Sequence, residues 1–154
     1  METKPFIIPF RIHQIEYMDL REFDKRVFLS VPNSTKELIA YERSGYAWTG
    51  IVGTEIIAAG GICPIWEGVA CAWLLSTPLV DKYKLFLHKT VKNAIIQTSK
   101  AKNLHRIETA ILTDHVVSQK WAERLGFVNE GKMTAYDSRK NDYFRYALLL
   151  DKPN

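Results

Sequence analysis

Asp114-His115-Val116-Val117-Ser118-Gln119-Lys120-Trp121-Ala122-Glu123-Arg124-Leu125-Gly126-Phe127 reads as a short helix with both ends marked. Thr113 or Asp114 offers a side-chain oxygen to the first free backbone N–H groups. Gly126 suits the left-handed conformation that ends a helix, with Phe127 folding back onto the last turn. Val117, Trp121 and Leu125 are spaced four apart, which predicts one shared buried face. Upstream, Arg106-Ile107-Glu108-Thr109-Ala110-Ile111-Leu112 is strand-like, and Val128 to Tyr136 downstream is strand-like again.

Outward from this unit, the spacing predicts the longest helix over Lys82 to Lys102, after Pro78. Leu87, Val91, Ala94 and Ile95 line its inner face, and Lys89, Lys92, Gln97 and Lys100 its outer one. Before it lies a meander. Tyr46 to Val52 is a strand, Gly53-Thr54 a tight turn, Glu55 to Cys63 the next strand, and Val69 to Ser76 returns after Trp66-Glu67-Gly68. Gly60-Gly61 suggests a bulge. The runs Ile56-Ile57-Ala58-Ala59 and Val69 to Leu75 do not alternate, as expected of strands covered on both faces at the centre of a sheet. At the N-terminus, Phe6 to Ile15 reads as a strand with Pro9 at an edge or bulge. Glu16 to Phe28 reads as a helix with Leu20, Phe23 or Asp24, and Val27 on one face. Pro32 breaks the chain, and Ser34-Thr35-Lys36-Glu37 is a capping-box pattern opening a helix that Gly45 ends. Gly131 to Tyr136 and Tyr143 to Leu150 form the last pair. The whole reads as a single domain over 1–154, an α+β fold with one mixed sheet of about seven strands and four helices.

A chain of 154 residues is long enough to bury a core. No apolar run reaches membrane-span length, and Met1-Glu2-Thr3-Lys4-Pro5 lacks a signal-peptide layout, so a cytoplasmic protein is expected. Two cysteines, Cys63 and Cys71, make neither a disulfide framework nor a metal site. They read as reduced thiols on neighbouring strands, in core-like strands that make poor nucleophiles. There is no Gly-x-Ser-x-Gly and no His-Glu-x-x-His. The net charge of +4 is unevenly placed. Lys82, Lys84, Lys89, Lys92, Lys100, Lys102 and Arg106 occupy an interval without an acid. Such a stripe is either a solvated helix face or a surface for an anion: a phosphate-bearing cofactor, nucleic acid or an acidic protein. A nucleic-acid role lacks a base-reading motif and an aromatic stacking set.

The order of central strands, long helix, strand and short helix ending Leu125-Gly126-Phe127 resembles the GNAT superfamily of acetyl-coenzyme-A-dependent N-acetyltransferases. The resemblance covers residues 46–150. The spacing Ser118-x-x-Trp121-x-Glu123-Arg124-Leu125-Gly126-Phe127-x-x-Glu130-Gly131 is most similar to the branch that acetylates ribosomal-protein N-termini. Ala72-Trp73-Leu74-Leu75-Ser76-Thr77-Pro78, followed by a glycine-free basic helix, is similar to the GNAT-like proteins of tailed bacteriophages. That implies a phage origin, the host cytoplasm, and a role in virion assembly or host modification.

The resemblance implies a site. Acetyl transfer to an amine needs a neutral, close amine, a polarised thioester carbonyl and a proton for the leaving thiolate. The pantetheine arm of acetyl-coenzyme A would pair with Trp73, Leu74, Leu75 and Ser76. The pyrophosphate would sit at the start of the long helix, where the family has Arg-Gly-x-Gly-x-Gly. Here the run is Asp81-Lys82-Tyr83-Lys84-Leu85-Phe86. The glycines are gone, so Lys82, Tyr83 and Lys84 are the candidate contacts and binding is expected to be weak. The family's thiolate-protonating tyrosine falls on Ala122, while Ser118 matches the serine given that role in the ribosomal-protein branch. His115 falls where the family often has asparagine, and is a candidate base, a ligand for the cofactor arm, or a surface histidine at a helix start. Tyr136 and Tyr143 flank the last turn, where the family binds its acceptor. Two functions follow: an N-acetyltransferase acting on an amine of a protein or small molecule, or a catalytically degenerate GNAT-fold phage protein that binds virion or host proteins.

Overall fold

The structure, a computed structural model, describes residues 3–30 and 34–150. The break read at Pro32 and the capping contribution of the Ser34 side chain fall outside the described residues. In chain order the elements are β1 (Phe6–Pro9), a 3-10 helix (Ile12–Tyr17), α1 (Glu22–Ser30), α2 (Ser34–Ser44), β2 (Ala47–Val52), β3 (Glu55–Trp66) and β4 (Val69–Ser76). A second 3-10 turn (Pro78–Asp81) leads to α3 (Lys84–Lys102), followed by β5 (Arg106–Leu112), α4 (Val116–Arg124), β6 (Val128–Met133) and β7 (Tyr143–Leu149). Among the described residues, no helix is long and apolar enough to cross a membrane.

The strands form one seven-stranded sheet in the order β1-β2-β3-β4-β5-β7-β6. The non-alternating runs in β3 and β4 lie at its centre, as their composition requires. All neighbouring strands are antiparallel except β4 and β5, which α3 joins as a parallel pair. That pairing covers only Val69↔Arg106, Ala70↔Ile107 and Cys71↔Glu108. β4 then runs on to Ser76 and β5 to Leu112 without meeting, so the sheet splays open between them.

Helices cover both faces. On one side α1 and α2 bury Phe10, Leu38, Ala47, Ala59 and Leu75. On the other, α3 and α4 bury Ile62, Ala70, Ile95, Ile107 and Tyr146. α3 ends at Asn103 in the left-handed conformation, with its N–H on the Ser99 carbonyl.

Several local readings are corrected. The first strand stops at Pro9, because the Gln14 side chain accepts the Arg11 N–H and winds Ile12–Tyr17 into a 3-10 helix. The pairing runs unbroken through Gly60 and Gly61, and the register shifts fall at Gly50/Ile51 and Pro64/Trp66. The long helix starts at Lys84 rather than Lys82, since Pro78 sets up a 3-10 turn first. Neither Thr113 nor Asp114 caps α4. Its N-cap is His115, without a side-chain cap bond, and the Asp114 carboxylate is drawn instead to Arg26 at 2.8 Å. Val117 is 64% exposed, while Ala122 carries the buried face.

The helix stop holds as read. Gly126 has φ of 101°. Its N–H bonds the Glu123 carbonyl at 3.0 Å, and the Phe127 N–H bonds the Ala122 carbonyl at 3.0 Å. That paired closure needs a left-handed residue. Gly126→Val is therefore expected to destabilise by about 1 kcal/mol or more, because a β-branched side chain is strained there. Thermal denaturation checks this, and an unchanged midpoint would contradict it.

Candidate active site

The candidate site is the gap between the splayed strands. The Thr77 N–H bonds the Ile57 carbonyl at 3.0 Å, toward β3. Strand alternation then turns the backbone groups of Leu75 and Trp73 toward β3 as well, and those of Ser76, Leu74 and Ala72 into the gap. The four residues Trp73 to Ser76 thus split. The Trp73 ring packs away from the gap, stacked on Tyr41 at 4.9 Å and edge-on to Phe10 at 5.1 Å. Leu75 is buried. Leu74, past the last β4–β5 pair at Cys71↔Glu108, offers an unpaired strand edge.

Ser76 is already engaged. Its carbonyl accepts the Arg21 N–H at 2.9 Å, and its hydroxyl donates to Asp24 Oδ2 at 2.9 Å. The same stretch of chain touches the opposite wall. The Phe23 ring lies flat on His115, with centroids 4.0 Å apart and an interplanar angle of 1°. Arg26 Nη1 donates to Asp114 Oδ2 at 2.8 Å. The start of α1 therefore bridges the mouth of the gap from β4 to α4. Its far end is tied by Ser138, whose N–H and hydroxyl both bond the Ser30 carbonyl. Burial raises the pKa of Asp24 against the opposing pull of Ser76 and Arg21. The Arg26 bond lowers that of Asp114.

His115 and Ser118 are brought together. Ser118 Oγ lies 3.1 Å from His115 Nε2. Burial lowers the pKa of His115, Arg21 and Arg26 lower it further, and Asp114 opposes them. The imidazole is neutral at pH 7 and keeps one nitrogen as an acceptor. The first bond within α4 runs from the Gln119 N–H to the His115 carbonyl at 3.2 Å. Hence the N–H groups of Val116, Val117 and Ser118 have no partner inside the helix.

At the base of α3 the expected phosphate contacts are rearranged. The Lys82 N–H bonds the Leu79 carbonyl, and the Tyr83 N–H is shared between Leu79 and Val80. These donors are used within the 3-10 turn. The first bond of α3, from the Leu87 N–H to Tyr83, leaves Lys84, Leu85 and Phe86 as the helix-start donors. The Lys82 and Lys84 side chains are exposed, with the Lys82 ammonium 5.6 Å from the Tyr83 ring centroid. Trp121 Nε1 donates to His88 Nδ1 at 3.1 Å and ties α4 to α3. One turn nearer the mouth, Leu85 is 66% exposed and Val117 64%.

Cys63 and Cys71 are register partners, both free. Burial pushes the Cys71 thiol up to about 11 and raises Cys63 as well, so neither is a thiolate at neutral pH. Tyr143 is buried, its hydroxyl donating to Asp137 at 2.8 Å. Tyr136 is 50% exposed and accepts a bond from Arg145 at 3.2 Å. Only Tyr136 of this pair presents a face to an incoming molecule.

The sequence reading missed the residues at the gap from α1 and the position just before it: Arg21, Phe23, Asp24 and Arg26. Phe23 and Asp24 were visible only as members of a helix face. Their partners lie 52 to 92 positions away along the chain, at Ser76 and His115, where no local pattern reaches.

At the level of sequence, no family model and no curated protein matches the chain. Solved structures do match. Ard1 from Thermoplasma volcanium superposes with a TM-score of 0.76 at 11% identity, covering 96% of this chain and 99% of the other. The fold is that of the GNAT acetyltransferases. yncA from Salmonella typhimurium, solved with its cofactor acetyl-CoA, gives a TM-score of 0.72 at 14% identity, covering 99% and 97%. The ribosomal-protein-S5-alanine acetyltransferase of Vibrio fischeri gives 0.67 at 18%, covering 97% and 96%. At these identities the likeness shows the fold, and no residue role carries over from it.

Proposed function

We propose that the protein transfers an acetyl group from acetyl-coenzyme A to an amine of a protein or small molecule in the cytoplasm. The observation that carries this reading is the unpaired strand edge at Leu74, beyond the last β4–β5 pair, in the gap that α1 bridges to the His115–Ser118 pair. When bound, acetyl-coenzyme A supplies an activated thioester. The residues fit it in part. Leu74, within the Trp73–Ser76 stretch, holds an extended amide-bearing arm by backbone pairing. Leu85 and Val117 shield its apolar portion. The N–H groups at the start of α3, with the charges of Lys82 and Lys84 beside Tyr83, take the phosphates. Ser118 supplies the proton that the departing thiolate requires, through neutral His115, because Ala122 carries none. Tyr136 and the exposed edge of Arg145 face the acceptor.

Without glycines the phosphate contacts lean on lysine charge, which salt screens. Calorimetry of acetyl-coenzyme A binding at low and high salt tests this. Weak binding that falls markedly with salt is expected, and Lys82→Ala with Lys84→Ala should abolish it. Tight, salt-independent binding would refute the lysine-based site.

A second reading is a GNAT-fold assembly or interaction protein of a tailed phage that has lost catalysis. Two features favour it: Ser76 has its hydroxyl and carbonyl bound by α1, and side chains stand where close phosphate approach requires glycine. No acetyl-coenzyme A binding at any salt would select this reading.

A further inference from the structure

We propose that the uncovered face of β5, β7 and β6 is an interface between two copies of this chain, packed face to face across a two-fold axis.

The cluster buried under α1 and α2 draws on β2, β3 and β4 and, among the described residues, on none of β5, β6 or β7. α1 reaches only the far ends of β5 and β7, where Ser138 holds Ser30. Register fixes what the open remainder of that face presents. Arg106 lies beside Val69 and Leu149, Glu108 beside Cys71 and Ala147, and Val128 beside Ala147. Alternate residues of a strand share a face, so Arg145 stands with Ala147 and Leu149.

Four of these side chains form one chain of ion pairs. Glu130 accepts both Arg106 Nη groups, at 2.6 and 2.9 Å. Arg106 also meets Glu108 at 2.9 Å, and Glu108 meets Arg145 at 3.9 Å. Ala147, in register between them, is buried although no helix packs above it. The chain of pairs is neutral as a whole, so it can leave water without stranding a charge. Three apolar side chains border it in open solvent: Val128 is 65% exposed, Leu149 69% and Trp66 65%. Trp66 shares the side of Val69, its register partner. One exposed apolar residue is ordinary. Three around a neutral, arginine-containing centre have the make-up of an interface.

The order of the charges selects a second copy as the occupant. From Glu130 through Arg106 and Glu108 to Arg145 the signs run minus, plus, minus, plus. An alternating chain with an even number of members is its own complement when reversed. A two-fold axis crossing it at the middle reverses it, setting Arg106 over Glu108 of the other copy and Glu130 over Arg145, each contact made twice. A partner of one net sign would meet as many like charges as opposite ones. Edge-to-edge growth at β6 is blocked by the register shift between Asn129 and Gly131, with Lys132 beside it. Three strands and a hairpin tip fall at the low end of interface sizes, so a micromolar dissociation constant is expected.

Sedimentation equilibrium of the whole chain over the micromolar range, at low and high salt, tests this. A monomer–dimer equilibrium that persists at high salt is expected, because buried pairs are screened little while the mutual repulsion of two chains of charge +4 is removed. Leu149→Lys with Val128→Lys should weaken it about 10-fold or more. Ile96→Lys, an exposed position on α3 at the opposite face, should leave it unchanged. Trp66→Ser serves in place of the paired variant if circular dichroism shows that the latter fails to fold. A chain that stays monomeric throughout overturns the proposal. So does a dimer that dissolves at high salt, or one that the Leu149 and Val128 substitutions leave intact.

Discussion

Gly61→Ala is expected to lower stability by about 3 kcal/mol, a shift of the thermal midpoint on the order of 10 °C for a chain of this size. A Cβ at Gly61 would stand 2.5 Å from the Tyr46 carbonyl oxygen, 2.9 Å from the Ala47 Cα and 2.9 Å from Trp73 Nε1. Two of these atoms are backbone of the adjoining strand and cannot step aside without opening the β2–β3 pairing. The third belongs to a ring wedged between Phe10 and Tyr41. Glycine is here for lack of volume rather than for an unusual dihedral angle. Differential scanning calorimetry measures the effect, and a variant that melts with the wild type would show that the strands can separate at no cost.

Ile107→Ala is expected to cost about 4 kcal/mol. Ile107 is fully buried and sits in the middle of the three-pair β4–β5 contact, one residue before the strands part, opposite Ala70 on one side and Leu148 on the other. Strands on both sides fix its surroundings, so the space left by the lost methylenes cannot collapse. The same residue holds the vertex from which the strands diverge. Urea denaturation should show a lower midpoint with an unchanged slope. A cost below 1 kcal/mol would mean that the vertex repacks freely.

Much of the architecture was legible because it is written in local patterns. The non-alternating runs of β3 and β4 announced the sheet centre, and Gly126 announced a helix stop that the structure closes with two backbone bonds. His115 and Ser118 were candidates only through the resemblance, counted back from Phe127, and the contact between them is what the structure adds. What was not legible depends on partners distant in sequence. Asp114 has the chemistry of a helix cap, but an ion pair with Arg26 outcompetes that role. Gly60 and Gly61 look like a bulge, since sequence shows an absent side chain and not the strand pressed against it. Val117 has the spacing of a core residue, yet Ala122 and Phe127 take the interior and leave it at the mouth of the gap.

The bridge made by α1 would set a clock on entry of the acetyl-coenzyme A arm proposed for the gap. Arg21, Phe23, Asp24 and Arg26 together join both walls, so an extended arm reaches the Leu74 edge only after that turn lets go of one of them. Helix undocking of this kind falls in the microsecond-to-millisecond range, slower than encounter at high ligand concentration. The observed association rate should therefore rise with ligand concentration and then flatten at the rate of release. Removing the outermost tie with Arg26→Ala should lift that plateau in stopped-flow traces. The gap would thus admit its occupant at a pace set by the protein's own breathing rather than by supply.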